Sequence, residues 1–320
     1  MRCKTISQFV SAVMEIITDE ERFHPECGAE FFFRGESCNY RHKGDPSAEL
    51  DACIPCYLDR EDVWRKHERD LYHEALRLNV ASFHDDRTMV ERVARMQHYG
   101  LPTRFADASS NALVALHFAL GGGDLDVGRR MENTEDGFVR VMKVAKRKMK
   151  TFTSDIITAI AHLPLVKVED VDPGVENGLE VLRYEITNER PGFSMNIRQD
   201  ASEKMKSLEK LLRDEIQQVW AFKPIWNTPR IRNQSGIFLA YGCRKGKEPL
   251  GPDFSRANYD NELAPSYGIV QVGYVQIAAE AKNELREQMR YFGLPVEAGY
   301  PDLSSVCNEI AQRMKMKGAH

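Results

Sequence analysis

Arg34 directly follows three phenylalanines, Phe31-Phe32-Phe33, and is the first residue of this sequence whose setting could do chemistry. The aromatic run reads as a buried strand that ends at Gly35 and holds Arg34 at the rim of a core. There its planar fork would grip a phosphate or carboxylate through two parallel hydrogen bonds. Arginines at such rims also form one half of a buried ion pair, with an acid such as Asp107 as partner, and both roles stay open. A second cation, Arg104, follows Thr103 and runs into Asp107 and Ser109, ahead of an apolar segment at residues 112–120. The free N–H groups and dipole of a helix starting there favour an anion, which Arg34 and Arg104 would share. Alternatively Asp107 is only a cap and Arg104 its partner.

His98 titrates near neutrality and suits a general base, but it also lies in the last turn before Gly100, where its charge would favour a helix C-terminus. Gln97 reads as a structural hydrogen-bonder to the following turn, and His117 as a core histidine inside the apolar helix. Cys53 and Cys56 have the spacing of half a zinc site, with Cys27, Cys38 and His42 nearby, but no second such pair completes it, so no metal is expected. Arg140, Lys143, Lys146, Arg147, Lys148 and Lys150 form one basic run. Such a run is usually a solvated face, and its other role is to hold nucleic acid.

These residues need elements to position them. Thr5 and Gln8 have capping-box spacing at the start of an amphipathic helix. Helices are predicted over residues 63–78, 86–99 and 112–120, the second stopped by Gly100 and Pro102, the third capped by Asp107, Ser109 or Ser110. Strands are predicted at residues 31–33, 138–144, 237–241 and 269–277, with helices over 205–216, 279–291 and from Leu303. Strand and helix runs do not alternate strictly, so the expected fold class is α+β with a mixed central sheet flanked by helices. One elaborated domain over residues 1–320 is expected, with 124–215 as an insertion or excursion.

The chain of 320 residues, 42% hydrophobic, can bury a sizeable core, and its net charge of −4 excludes a global field for polyanions. Seven cysteines at irregular spacing suit reduced thiols, and neither a secretory leader nor a long apolar span is read, so a cytoplasmic location without membrane contact is expected.

Phe33-Arg34-Gly35, the run 54–60 with Pro55, the block Gln97-His98-Tyr99-Gly100-Leu101-Pro102-Thr103-Arg104, the alanine-bearing segment 111–119 and the block 229–238 occur in the order of a known family. The sequence resembles the FRG-domain family in these five blocks, and the run from Gly293 to Leu303 is similar to that family's closing turn and helix. Two departures concern the pocket: Cys56 stands where the family has serine, and the stretch 105–109 is a weakened form of its Asp-Trp-Thr stretch. The resemblance implies an effector of a bacterial toxin or phage-defence system.

By analogy of fold, the arrangement also resembles ADP-ribosyltransferases, in which NAD lies against a split sheet. That resemblance implies NAD as co-substrate and Arg34, Gln234 and His98 as catalytic residues. Its cofactor-binding set would be Arg34, Gly35, Thr103, Arg104, Asp107, Ser109, Asn111, Arg230 and Arg232. Gln234 stands where those folds carry glutamate; it can bond a ribose hydroxyl but cannot stabilise developing positive charge, so the rate would suffer or another acid must serve. The acceptor would be a protein or nucleic acid, with an antitoxin or trigger protein as partner. The alternatives are a non-catalytic nucleotide- or protein-binding module, and an enzyme acting on nucleic acid.

Overall fold

The computed structural model describes residues 2–39, 56, 58, 62–121, 135–166, 176–189, 215–225, 236–243, 254–264 and 266–292. Their strands are β1 (Arg2–Cys3), β2 (Glu30–Glu36), β3 (Phe105–Ser109), β4 (Gly137–Val144), β5 (Met149–Thr151), β6 (Val219–Lys223), β7 (Gly236–Tyr241) and β8 (Ile269–Ile277). They form one eight-stranded sheet in the order β1-β8-β4-β2-β3-β7-β6-β5. The two outermost pairs, β1 with β8 and β5 with β6, are parallel and the interior pairs antiparallel, so the sheet is mixed and the fold α+β.

Alternation along β2 sends Phe33 to one face and Phe32 to the other. Phe33 packs with Phe9 and Val13 of α1 (Ile6–Phe23), with Ala115, Leu116 and Ala119, and with Leu285. The alanines lie on α5 (Ala112–Ala119) and Leu285 on α9 (Lys282–Tyr291). Phe33 faces Ser109 across the strands, so Phe105, an even number of positions from Ser109, shares its face. Phe105, Phe222 and Phe238 pack there against Val93 and Met96 of α4 (Met89–His98) and Ile156 and Ile160 of α6 (Asp155–His162). Phe32 joins Cys56, Leu58, Ala106, Ala108 and Tyr241 on the opposite face.

The predicted helix at 63–78 is two helices, α2 (Asp62–Lys66) and α3 (Glu68–Leu78), broken at His67. Helix α4 begins in a complete capping box between Thr88 and Glu91, a device that stabilises a helix start by about 1 kcal/mol. Glu189, at the end of α7 (Glu176–Glu189), also accepts from the Met89 amide at 2.8 Å. Gly100, at φ 83, ends α4 as its position predicts. The stretch 124–215 holds β4, an interior strand between β8 and β2, together with α6 and its packing against the larger core. The short helix α8 (Arg256–Tyr259) completes the nine α-helices among the described residues.

The sheet is pinched at its middle. Strand β2 meets β4 along seven register partners, but β3 only at Phe33 and Ser109. Beyond that point, toward Glu36 on one strand and Phe105 on the other, no ladder pairs are formed. The two strands therefore part at a seam, and backbone groups along it need other partners.

Candidate functional site

Arg34 lies at this seam. Its Nη1 donates to the carbonyl of Asp107 on β3 at 2.7 Å, so a side chain supplies the donor that a ladder would otherwise provide. Its Nε donates to Glu36 Oε1 at 3.2 Å, two residues along the same face of β2. The other Glu36 oxygen accepts from Arg140 Nε at 2.8 Å, and Arg140 Nη1 donates to Gln271 Oε1 at 2.7 Å. Arg34 and Arg140 are direct cross-strand partners, which would repel if Glu36 did not stand between them. Burial opposes the charge of Arg34, while Glu36, with Tyr241 and Asp107, favours it; the balance raises the guanidinium's pKa. Arg34 is 7% exposed, and no acceptor among the described residues takes its Nη2 hydrogens.

Asp107 carries the second half of the site. Its Oδ2 accepts from Gln97 Nε2 at 3.2 Å, and Gln97 Oε1 in turn accepts from Thr103 at 2.7 Å. Thr103 Oγ1 also takes the Phe105 amide at 3.2 Å, which fixes the chain as it enters β3. The other carboxylate oxygen, Oδ1, is buried, makes no hydrogen bond, and lies 3.7 Å from His98 Nδ1. A third of the Asp107 side chain is exposed, whereas His98 is almost sealed, its ring tilted against Phe238. The Asp107 side chain is thus the partly exposed member of the group, with the Gln97 amide bonded to one carboxylate oxygen and the His98 ring beside the other.

Residues 29–124 match the family model described as the FRG domain. The chain carries an FRG domain. No curated protein and no solved structure matches the chain. The matched stretch is less than a third of the 320 residues and contains Arg34, Glu36, Gln97, His98 and Asp107, whereas Arg140 and Gln271 lie outside it.

Within the FRG domain, Arg104 is not brought to the Arg34 site. Its Nε and Nη2 donate to the two oxygens of Glu68 on α3, both at 2.7 Å, and its Nη1 to the Gly242 carbonyl. Glu68, not Asp107, is its partner. Burial lowers the Arg104 pKa and Glu68 raises it, with a net upward shift. At 1% exposure this guanidinium is a structural clamp, so the phosphate expected to be shared by both arginines would have Arg34 alone. Asp107 and Ser109 are not helix caps: both belong to β3, and the cap of α5 is Asn111, whose Oδ1 accepts from the Leu113 amide at 2.9 Å. Ser109 Oγ accepts from the Asn111 amide at 3.0 Å.

Gly35 is explained by packing, since the Ala115 carbonyl of α5 lies where its side chain would be. Gln234, Arg230 and Arg232 lie outside the described residues, as do Cys53, His42 and the run from Gly293. Cys56 is buried. Among the described residues no group of three His, Cys, Asp or Glu could hold a metal ion, and no helix is long and apolar enough to cross a membrane.

The basic run is not one solvated face. Arg140, Lys143 and Lys148 are buried, bound respectively to Glu36, Glu20 and Gln218. Sequence reasoning missed Glu36 and Glu68 as partners of the two arginines. For Glu36 a signal existed, because strand alternation puts residues 34 and 36 on one face. For Glu68 and Arg140 none did, since their placement comes from tertiary packing and strand register.

Proposed function

We propose that this FRG-domain protein is an NAD-consuming effector of a toxin or phage-defence system that transfers ADP-ribose. The dinucleotide would sit at the seam between β2 and β3. What supports this reading most is that Asp107 joins the two candidate groups: its carbonyl holds Arg34 at 2.7 Å and its carboxylate lies 3.7 Å from His98. The fit is partial: the described residues offer a phosphate one guanidinium, Arg34, through its Nη2, and Arg104 does not fit the role.

Asp107 would be the acid that serves where Gln234 cannot, with Gln97 and His98 orienting it. In the transfer, the bond between ribose C1′ and the nicotinamide nitrogen breaks and its electron pair leaves with nicotinamide. The acceptor atom, on a protein or nucleic acid, bonds to C1′, and its proton passes to the Asp107 carboxylate. An antitoxin or trigger protein would control the reaction.

A second reading, a non-catalytic module that binds a nucleotide or partner protein with the same residues, is supported by the ion pairs. Arg104 is committed to Glu68, and Arg34 is tied through Glu36 to Arg140. The test is incubation with NAD and cell extract, following nicotinamide release and added ADP-ribose mass. Turnover by the wild type that Arg34→Ala abolishes supports the enzyme, and NAD binding without turnover supports the module. Neither binding nor turnover overturns both.

A further inference from the structure

Two ammonium groups lie over one indole ring at the edge of the sheet. Lys148 Nζ is 4.1 Å and Lys150 Nζ 4.6 Å from the centroid of the Trp220 ring on β6. Lys148 ends the 3₁₀ turn Lys146–Lys148, and Lys150 follows on β5, the last strand of the sheet. Lys148 is 1% exposed and donates to Gln218 Oε1 at 2.5 Å and to the Val219 carbonyl at 3.2 Å, both neutral acceptors. Lys150 is partly exposed. Among the described residues neither ammonium has a carboxylate within ion-pair distance.

The charged groups around them do not restore the balance. Arg147 lies 4.5 Å from the Tyr267 ring, over which Lys148 also lies at 5.7 Å, but Glu26 answers the Arg147 charge at 2.9 Å. Glu215, whose backbone carbonyl takes the Trp220 indole N–H, attracts Lys148, and the repulsion from Lys150 exceeds that attraction. The neighbouring loop is shaped to admit these cations: Gly268 stands at φ +73, and a Cβ on it would lie 2.9 Å from Lys148 Cγ and 3.2 Å from Arg147 Nε. A buried ammonium beside a second one costs stability unless an anion answers both.

We propose that Lys148 and Lys150 form an anion site for a small phosphate-bearing ligand, with Lys150 making the contact at the partly exposed edge and Lys148 supplying charge from beneath. The rings on which a single nucleic-acid strand would stack its bases already carry cations, and a net charge of −4 gives a long polyanion no wider field to follow. A compact phosphate therefore fits better than a strand. Burial first, and then Lys150, lower the Lys148 pKa to about 7. A bound anion favours the charged form, so binding draws a proton onto Lys148 and weakens as the pH rises above 7. This site lies on β5 and β6, apart from the seam between β2 and β3, and stands whether or not the seam takes a nucleotide.

The test is titration of the full chain with inorganic pyrophosphate, read by calorimetry at pH 7 and constant ionic strength. The wild type should bind it, and Lys150→Met should weaken binding by about tenfold, one step of affinity. Lys223→Met removes a cation from the other face of the same edge, one already paired with Glu30, and should bind like the wild type. Sulfate keeps its double charge between pH 6 and pH 9. Followed by tryptophan fluorescence, it should bind the wild type about tenfold more weakly at the higher pH, and Lys148→Met should erase that difference. A wild type that binds no pyrophosphate overturns the proposal, as does unchanged affinity in Lys150→Met or an equal loss in Lys223→Met. An equal pH difference in Lys148→Met overturns the part given to Lys148. If that variant does not fold, the wild-type series decides, and equal sulfate affinity at pH 6 and pH 9 overturns the same part. A single-stranded oligonucleotide that binds through Lys150 where pyrophosphate does not would replace the small ligand with nucleic acid and overturn the assignment.

Discussion

A Cβ built on Gly35 would stand 1.8 Å from the carbonyl oxygen of Ala115 and 2.9 Å from the Ala119 amide nitrogen. Helix α5 thus rests on β2 backbone to backbone, and Gly137 on β4 repeats the contact, its built Cβ 2.2 Å from the Ala119 carbonyl. Any side chain here must push away a helix whose Ala115, Leu116 and Ala119 form the core below. Gly35→Ala is expected to cost on the order of 3 kcal/mol or to prevent folding, measured in a urea titration. A loss below about 1 kcal/mol would show that α5 slides freely on the sheet.

The Arg104–Glu68 pair is a buried clamp apart from the proposed site at the seam. Glu68→Gln leaves a buried guanidinium without its counter-charge and should lower stability by about 3 to 5 kcal/mol. Replacing both residues by methionine should recover most of that loss, since apolar groups of similar volume fill the same space. If Glu68→Gln is as stable as the wild type, the guanidinium has another outlet and its exclusion from the ligand site must be reconsidered.

Lys148 should leave a signature in the pH dependence of stability. Burial first, then the Lys150 and Arg147 charges, lower its pKa from 10.5 to about 7, with Glu215 opposing. The face of Trp220, 4.1 Å from Nζ, also favours the charged form. Between pH 7 and 10 the unfolded chain binds the proton that the folded protein has released. The free energy of unfolding therefore rises with pH across that window, and the penalty is fully present below it. Denaturation curves at pH 6, 8 and 10 should show this rise in the wild type and a smaller one in Lys148→Met. Parallel profiles for the two proteins would show that the ammonium stays charged in the fold.

Much of the frame is readable from local chemistry. Thr5 accepts from the Gln8 amide at the start of α1, and β8 spans residues 269–277 as its apolar alternation predicts. Capping and alternation act over a few residues, so sequence displays them directly. Helices α6 and α7 escaped because their apolar residues sit in a stretch, 124–215, that is polar on average. The stretch 105–109 is a strand because β7 pairs along all of it, a long-range cause that composition does not carry.

The site was legible as residue types but not as partnerships. Arg34 meets the backbone carbonyl of Asp107 at the seam, and Gln97 and His98 flank the Asp107 carboxylate, through contacts that span 73 residues from Arg34 to Asp107 and 10 from Gln97 to Asp107. Arg104 looked equivalent to Arg34 in sequence, yet a carboxylate 36 residues away claims it. Which arginine remains available is decided by where the acids land in three dimensions, and no local pattern encodes that.

The matched domain supplies only β2 and β3 to a sheet of eight strands, and those two touch at one register position. Their long ladders run outward, to β4 and β7, which come from later in the chain. A fragment cut at residues 29 and 124 would thus expose two hydrophobic strand edges with almost nothing to join them to each other. Within this fold the portion that kinship recognises holds the middle of the sheet, and strands from outside it complete the sheet on both sides.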